Sequence, residues 1–222
     1  MKIIQNLVTP DQYTIKCSYA MTPSFYVVHN TDNDAPAANE IAYMLRRPEK
    51  VSFHYAVDDK EVVQGIPENR SAWHAGDGKY GDGNRCGIGV EICYSLSGGE
   101  RFAKAEQNAA KFIAQGLYEK GWGIERVKRH YDFDGKNCPA RTMANGWSRF
   151  LDMVRAELDK LNNVEEDEEV KKFNTIAEVP DYGKATIQRL VDTGLLKGNE
   201  NGLDLSEDML RILVILERAK VI

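Results

Sequence analysis

Phe25-Tyr26-Val27-Val28-His29 is an unbroken run of aromatic and β-branched residues that ends on an imidazole. It reads as a buried strand, because such side chains fill a pleated surface better than a helix. Alternation marks another strand: Ile88, Val90 and Ile92 fall on one face, Gly89, Glu91 and Cys93 on the other. Between the two, residues 53–57 and 61–66 flank Asp58-Asp59-Lys60, which predicts a hairpin. Asp34 is a fair N-cap, Pro36 suits a first turn, and Ile41, Ala42 and Leu45 give a short helix its apolar face. Phe102, Ala109, Phe112, Ile113 and Leu117 recur with the period of a longer helix, which Gly121 ends. A short strand is expected over residues 125–130. Trp147, Phe150, Leu151, Val154 and Leu158 predict a last amphipathic helix. The expected fold is α/β, a sheet covered by helices.

At 222 residues, 42% of them hydrophobic, the chain can bury one good-sized core and carry a small appendage. A net charge of −5 argues against nucleic acid, whose phosphates need a basic field. The boundary is electrostatic: residues 162–173 set five carboxylates against two lysines and read as an acidic linker or helix extension. It separates a domain over 1–161 from a module over 174–222. Four cysteines (Cys17, Cys86, Cys93, Cys138) do not make a disulfide framework. Residues 1–7 lack the apolar run of a signal peptide, and no run is long enough to span a membrane. No membrane association and synthesis in the cytoplasm are therefore expected.

A second informative stretch is His130-Tyr131-Asp132-Phe133-Asp134-Gly135-Lys136-Asn137-Cys138-Pro139, which joins an imidazole to a thiol through a polar turn. His29 and His130 both end predicted strands, where open α/β sheets place ligands, and the turn can return Cys138 to the same edge. Two imidazoles and a thiolate suit zinc with a fourth position left open. Taken singly, each residue has an ordinary reading. A lone histidine is a hydrogen-bonded structural residue, and a lone cysteine a small buried group. Glu91 could face solvent or take a proton from a metal-activated water. Lys136 could be an exposed loop lysine or stabilise an oxyanion.

In this order and rough spacing, five segments carry a family resemblance: Val-Val-His29-Asn, Ser52-Phe53-His54-Tyr55, Ala72-Trp73-His74-Ala75-Gly76, Ile88-Gly89-Val90-Glu91-Ile92 and Lys136-Asn137-Cys138-Pro139. Together they resemble the zinc-dependent N-acetylmuramoyl-L-alanine amidases, which include phage endolysins and share the peptidoglycan-recognition-protein fold. The resemblance covers most of residues 20–158. It implies a central mixed β-sheet flanked by helices, and zinc on His29, His130 and Cys138. It also implies that Glu91 and Lys136 assist attack on the amide between N-acetylmuramic acid and L-alanine. His74 is implied as a pocket residue contacting substrate or water, with Trp73 beside it. Many relatives carry tyrosine at the position of Phe53; its hydroxyl is absent here, and its role is assigned to Glu91.

The partner implied is peptidoglycan, cut after release of the protein to the cell wall by a phage or prophage endolysin. Alternatives are a host autolysin, or a peptidoglycan-binding receptor of the same fold without hydrolysis. A structural zinc protein would need a fourth side-chain ligand, and none is apparent at short spacing.

In the C-terminal module, Ala185, Ile187, Leu190, Val191 and Leu195 predict one helix, and Ser206 caps a second carrying Met209, Leu210, Ile212, Leu213 and Leu216. The pair resembles a single S-layer-homology-like unit. Such a small helical module is expected to bind a secondary wall polymer or to self-associate.

Overall fold

The computed structural model describes residues 3–167 and 171–221. Its strands are β1 (Ile3–Gln5), β2 (Phe25–Asn30), β3 (Tyr55–Val57), β4 (Val62–Gln64), β5 (Gly87–Ile92), β6 (Val127–Arg129), β7 (Lys172–Phe173) and β8 (Leu205–Ser206). The helices are α1 (Tyr13–Lys16), α2 (Ala37–Arg46), α3 (Asp82–Cys86), α4 (Gly99–Lys120), α5 (Tyr131–Asp134), α6 (Ala140–Ala144), α7 (Trp147–Asp167), α8 (Asp181–Asp192) and α9 (Glu207–Arg218). The chain divides into two compact units, Met1–Asn163 and Val164–Ile222.

In the first unit a mixed sheet runs in the order β1-β4-β3-β5-β2-β6. β3 and β4 form the expected hairpin and make the antiparallel pair; the other neighbours are parallel. The alternation read from the sequence separates two faces. Tyr26 and Val28 stand in register with Ile88 and Val90 and lie in the main core, which α4 supplies with Phe102, Phe112, Ile113 and Leu117. Phe150, Val154 and Leu158 of α7 join the same core. The opposite face presents Phe25, Val27 and His29 in register with Gly87, Gly89 and Glu91. There α2 packs toward the hairpin, with Ile41 and Met44 occupying the space a side chain at Gly65 would need.

α4 approaches β2 closely because Gly116 has no side chain; a Cβ there would collide with the Tyr26 hydroxyl. The Tyr26 ring cannot easily yield, since Phe112 and Trp122 stand edge-on to it at 6.2 and 6.1 Å. Alanine favours a helix by about 1 kcal/mol over glycine, yet overpacking costs about 1–3 kcal/mol. Gly116→Ala is therefore expected to lower the stability of the first unit. Chemical denaturation monitored by tryptophan fluorescence would show a lower midpoint, and an unchanged midpoint would contradict this packing.

Two local expectations need correction. Asp34 does not cap α2: its Oδ1 accepts from the backbone and hydroxyl of Ser97. The free N–H of Ala37 instead donates to Asp58 in the hairpin turn, at 2.9 Å. Only Val127–Arg129 of the strand expected over 125–130 pairs with β2, because Ile124–Arg126 turns as a 3-10 helix. The acidic segment 162–173 begins as the end of α7 and finishes as β7, while residues 168–170 lie outside the described residues.

In the second unit, β7 pairs antiparallel with β8, and Phe173, Ile187, Leu190, Leu205, Leu210 and Val214 form a separate core. α8 and α9 cross closely at Gly183, where a Cβ would meet Leu210. Ser206 caps α9 as expected, accepting from Met209 N at 3.2 Å. Leu195 lies beyond α8 and is exposed.

Candidate functional site

Parallel pairing of β2 with β5 sets His29 directly beside Glu91, both pointing from the face opposite α4. His130 follows β6, and its backbone N–H reaches Val28 O at 3.2 Å, so both histidines leave one edge of the sheet. From there α5 and a turn at Gly135, in the left-handed conformation at φ 77°, double the chain back. Tyr131 N donates to Cys138 O at 2.9 Å, which closes the excursion and returns the thiol to the strand ends. Asn30 locks the next segment: its Oδ1 accepts from the backbone N–H groups of Arg141 and Thr142.

His29, His130 and Cys138 are all buried, and one ligand atom from each lies within 4.8 Å of the others. Cys138 Sγ is 3.7 Å from His29 Nδ1. The other nitrogen of each imidazole is engaged elsewhere. His29 Nε2 is 3.0 Å from His74 Nδ1, and His130 Nε2 is 3.3 Å from Asp134 Oδ2. His130 Nδ1 is buried without a hydrogen-bond partner. Three potential donor atoms thus converge in a space that can hold a metal ion.

Burial dominates the electrostatics. It holds His29 well below the usual histidine range, with His74 and His130 acting in the same direction. It also lowers His130 and brings His74 to about 3 and His54 to about 4, so these imidazoles are neutral at pH 7. Burial pushes the Cys138 thiol up to about 12. Glu91 is raised to about 8, first by burial and then by Glu40, against the opposing charge of Lys136. Its Oε2 is buried and unpartnered. Beside Cys138 a cavity of about 660 Å³ opens, lined in part by Asn30, Asp32, Lys136 and Arg141.

Neither His74 nor Trp73, both expected in the substrate pocket, lines that cavity. His74 lies behind His29 with both nitrogens engaged, the second 3.2 Å from Gly87 O. The Trp73 ring meets Tyr19 edge-on and Lys50, while its backbone is tied to Ser52. Phe53 is a buried core residue. Sequence reading missed Asn30 and Asp134. Both had a signal, one next to His29 and the other four residues after His130.

Residues 19–141 match the family model described as N-acetylmuramoyl-L-alanine amidase. The chain belongs to this family. Among its relatives, the N-acetylmuramoyl-L-alanine amidase CwlA of Bacillus subtilis (strain 168) is 54% identical over 162 residues, 72% of this chain and 60% of that protein. XlyB of the same organism is 53% identical over 157 residues, 70% of this chain and 48% of that protein. This amidase-family chain thus spans only about half to three-fifths of the length of those two relatives. It is also similar to the solved structure of PlyL, at 50% identity and a TM-score of 0.68, over 69% of this chain and 97% of that one. Among the described residues, no helix of this family member is long and apolar enough to cross a membrane.

Proposed function

We propose that the protein hydrolyses the amide between N-acetylmuramic acid and L-alanine in peptidoglycan, using zinc held by His29, His130 and Cys138. The carrying observation is the convergence of these donors beside Glu91 in a chain of the amidase family. The donor set fits zinc. Tetrahedral bonds of about 2.0 Å to nitrogen and about 2.3 Å to sulfur put those atoms about 3.5 Å apart. Cys138 Sγ and His29 Nδ1 are 3.7 Å apart.

When bound, zinc supplies a Lewis acid for the carbonyl oxygen and lowers the pKa of water toward about 7. Glu91 takes a proton from the attacking water and returns it to the departing L-alanine nitrogen. Burial raises this carboxyl to about 8 in the metal-free protein, and a cation held beside it would favour the carboxylate that accepts the proton. Lys136, on the cavity rim, offers positive charge where the carbonyl oxygen becomes negative. Asn30 keeps the Cys138 segment in place through its hydrogen bonds beyond Pro139.

Chelator-treated protein is expected to lose hydrolysis of cell walls and to regain it with zinc, followed by turbidity loss. Full activity of protein shown to be metal-free by elemental analysis would overturn the zinc reading. A receptor without hydrolysis would bind walls but never clear them. The names of the relatives favour an enzyme acting at the wall, as a phage or prophage endolysin or a host autolysin does.

The second unit is proposed to bind a secondary wall polymer or to self-associate. Met209, Ile212 and Ile215 form an exposed apolar stripe on α9, away from buried Leu210 and Val214. Removing residues 164–222 is expected to leave turnover of a soluble muramoyl peptide within about twofold. It should also reduce the wall-bound fraction or the oligomeric mass. No change in either would reject both roles.

A further inference from the structure

We propose that His74 is a positioning residue that fixes the tautomer of His29 and so aims its Nδ1 lone pair at the metal position beside Cys138. The protons follow from which groups are able to donate. Gly87 O can only accept, so His74 Nε2, 3.2 Å away, carries the proton. In a neutral imidazole the other nitrogen then has a lone pair, and His74 Nδ1 accepts. Its partner at 3.0 Å, His29 Nε2, must therefore donate, which leaves His29 Nδ1 unprotonated and facing Cys138 Sγ. The chain of protons starts on a strand carbonyl and ends on a ligand atom. Outer partners of this kind set ligand tautomer and ring orientation.

The surroundings hold this chain in one arrangement. His74 lies flat over Gly89, where a Cβ would come within 2.9 Å of the ring. Gly89 is itself pinned, donating its N–H to His54 Nδ1 at 2.9 Å and accepting from His54 N at 3.0 Å. His54 Nε2 in turn faces Arg70 O at 2.9 Å, so His54 has the same tautomer by the same reasoning. Asn84 Oδ1 accepts from the backbone N–H groups of His74 and Ala75, both at 2.8 Å, which fixes the base of the ring. Both His74 nitrogens are spent inside the protein, so it acts through His29 and does not touch substrate.

This proposal rests on the metal reading of the site, and its test separates the two. Two-bond proton–nitrogen correlation spectra of the metal-free, 15N-labelled full chain report the His29 tautomer without any metal. They should show a protonated Nε2 and a bare Nδ1. In His74→Leu, which keeps bulk but removes the acceptor, that single tautomer should be lost. Zinc affinity, measured by competition with a chromophoric chelator, should fall about 10–100-fold. His74→Asn, whose carboxamide oxygen stands near the former Nδ1, should restore most of it. Thermal unfolding of the metal-free variants confirms that each is folded. If His74→Leu does not fold, the wild-type spectra and His74→Asn still decide. A protonated Nδ1 on His29 in the wild type, or zinc affinity of folded His74→Leu within twofold of wild type, would overturn the proposal. Failure of the wild type to bind zinc would instead overturn the metal reading, and the His29 tautomer would still decide the relay.

Discussion

Glu91→Gln is expected to lower kcat on peptidoglycan by about 10²–10⁴-fold while zinc affinity stays near that of the wild type. The amide matches the carboxyl in shape but cannot carry the proton from water to the leaving nitrogen. Glu91 lies in register beside His29, and none of the three proposed zinc donors comes from it. The loss should therefore appear in turnover and not in metal content. Kinetics on purified walls, paired with elemental analysis, separates the two; a variant turning over at the wild-type rate would remove Glu91 from proton transfer.

The same substitution has a stability signature in the metal-free protein. The folded pKa of Glu91, about 8, lies above the value of about 4.5 for an ordinary glutamate. Between these values the native state holds a proton that the unfolded state has lost, so rising pH destabilises the fold. The glutamine variant does not titrate and escapes that loss. Its advantage should grow from about pH 4.5 and level off above about pH 8, reaching on the order of a few kcal/mol. Urea unfolding at several pH values measures it, and parallel curves for the two proteins would contradict the burial of an unpaired carboxyl.

Cys138→Ser is expected to abolish wall hydrolysis at micromolar zinc. It should weaken zinc by more than the roughly 100-fold that loss of an outer partner costs. The thiolate is the one anionic donor of the proposed set, so its loss removes both a soft bond and the charge that offsets the ion. The thiol, raised to about 12 by burial, must release its proton on binding. Below that value, wild-type affinity should therefore climb about tenfold per pH unit from this group alone, while the serine variant lacks that slope. Calorimetric titration at pH 6, 7 and 8 distinguishes them, and equal slopes would mean that Cys138 is not a ligand.

Much of the site was legible because it follows from short-range rules. His29 and Glu91 end or lie within strands marked by β-branched residues and alternation, and parallel pairing then makes them neighbours. His130 and Cys138 are joined by one short excursion whose glycine permits the turn. Other features depend on contacts across long separations. Asp58 caps α2 from 21 residues away. The orientation of His74 depends on a missing Cβ at Gly89 and on a carbonyl in another segment. Its motif could say that a histidine belonged there, but not that its nitrogens turn inward. β1, β7 and β8 are two or three residues long, too short for any period to appear.

The bond that is cut is the most direct test. Purified peptidoglycan digested with the zinc-loaded protein should release peptides with new L-alanine amino termini, leaving free lactyl carboxylates on the glycan. Mass spectrometry and amino-terminal labelling would detect both products, with no new reducing sugar ends. New reducing ends, or cleavage inside the stem peptide with the muramoyl amide intact, would contradict the proposed reaction.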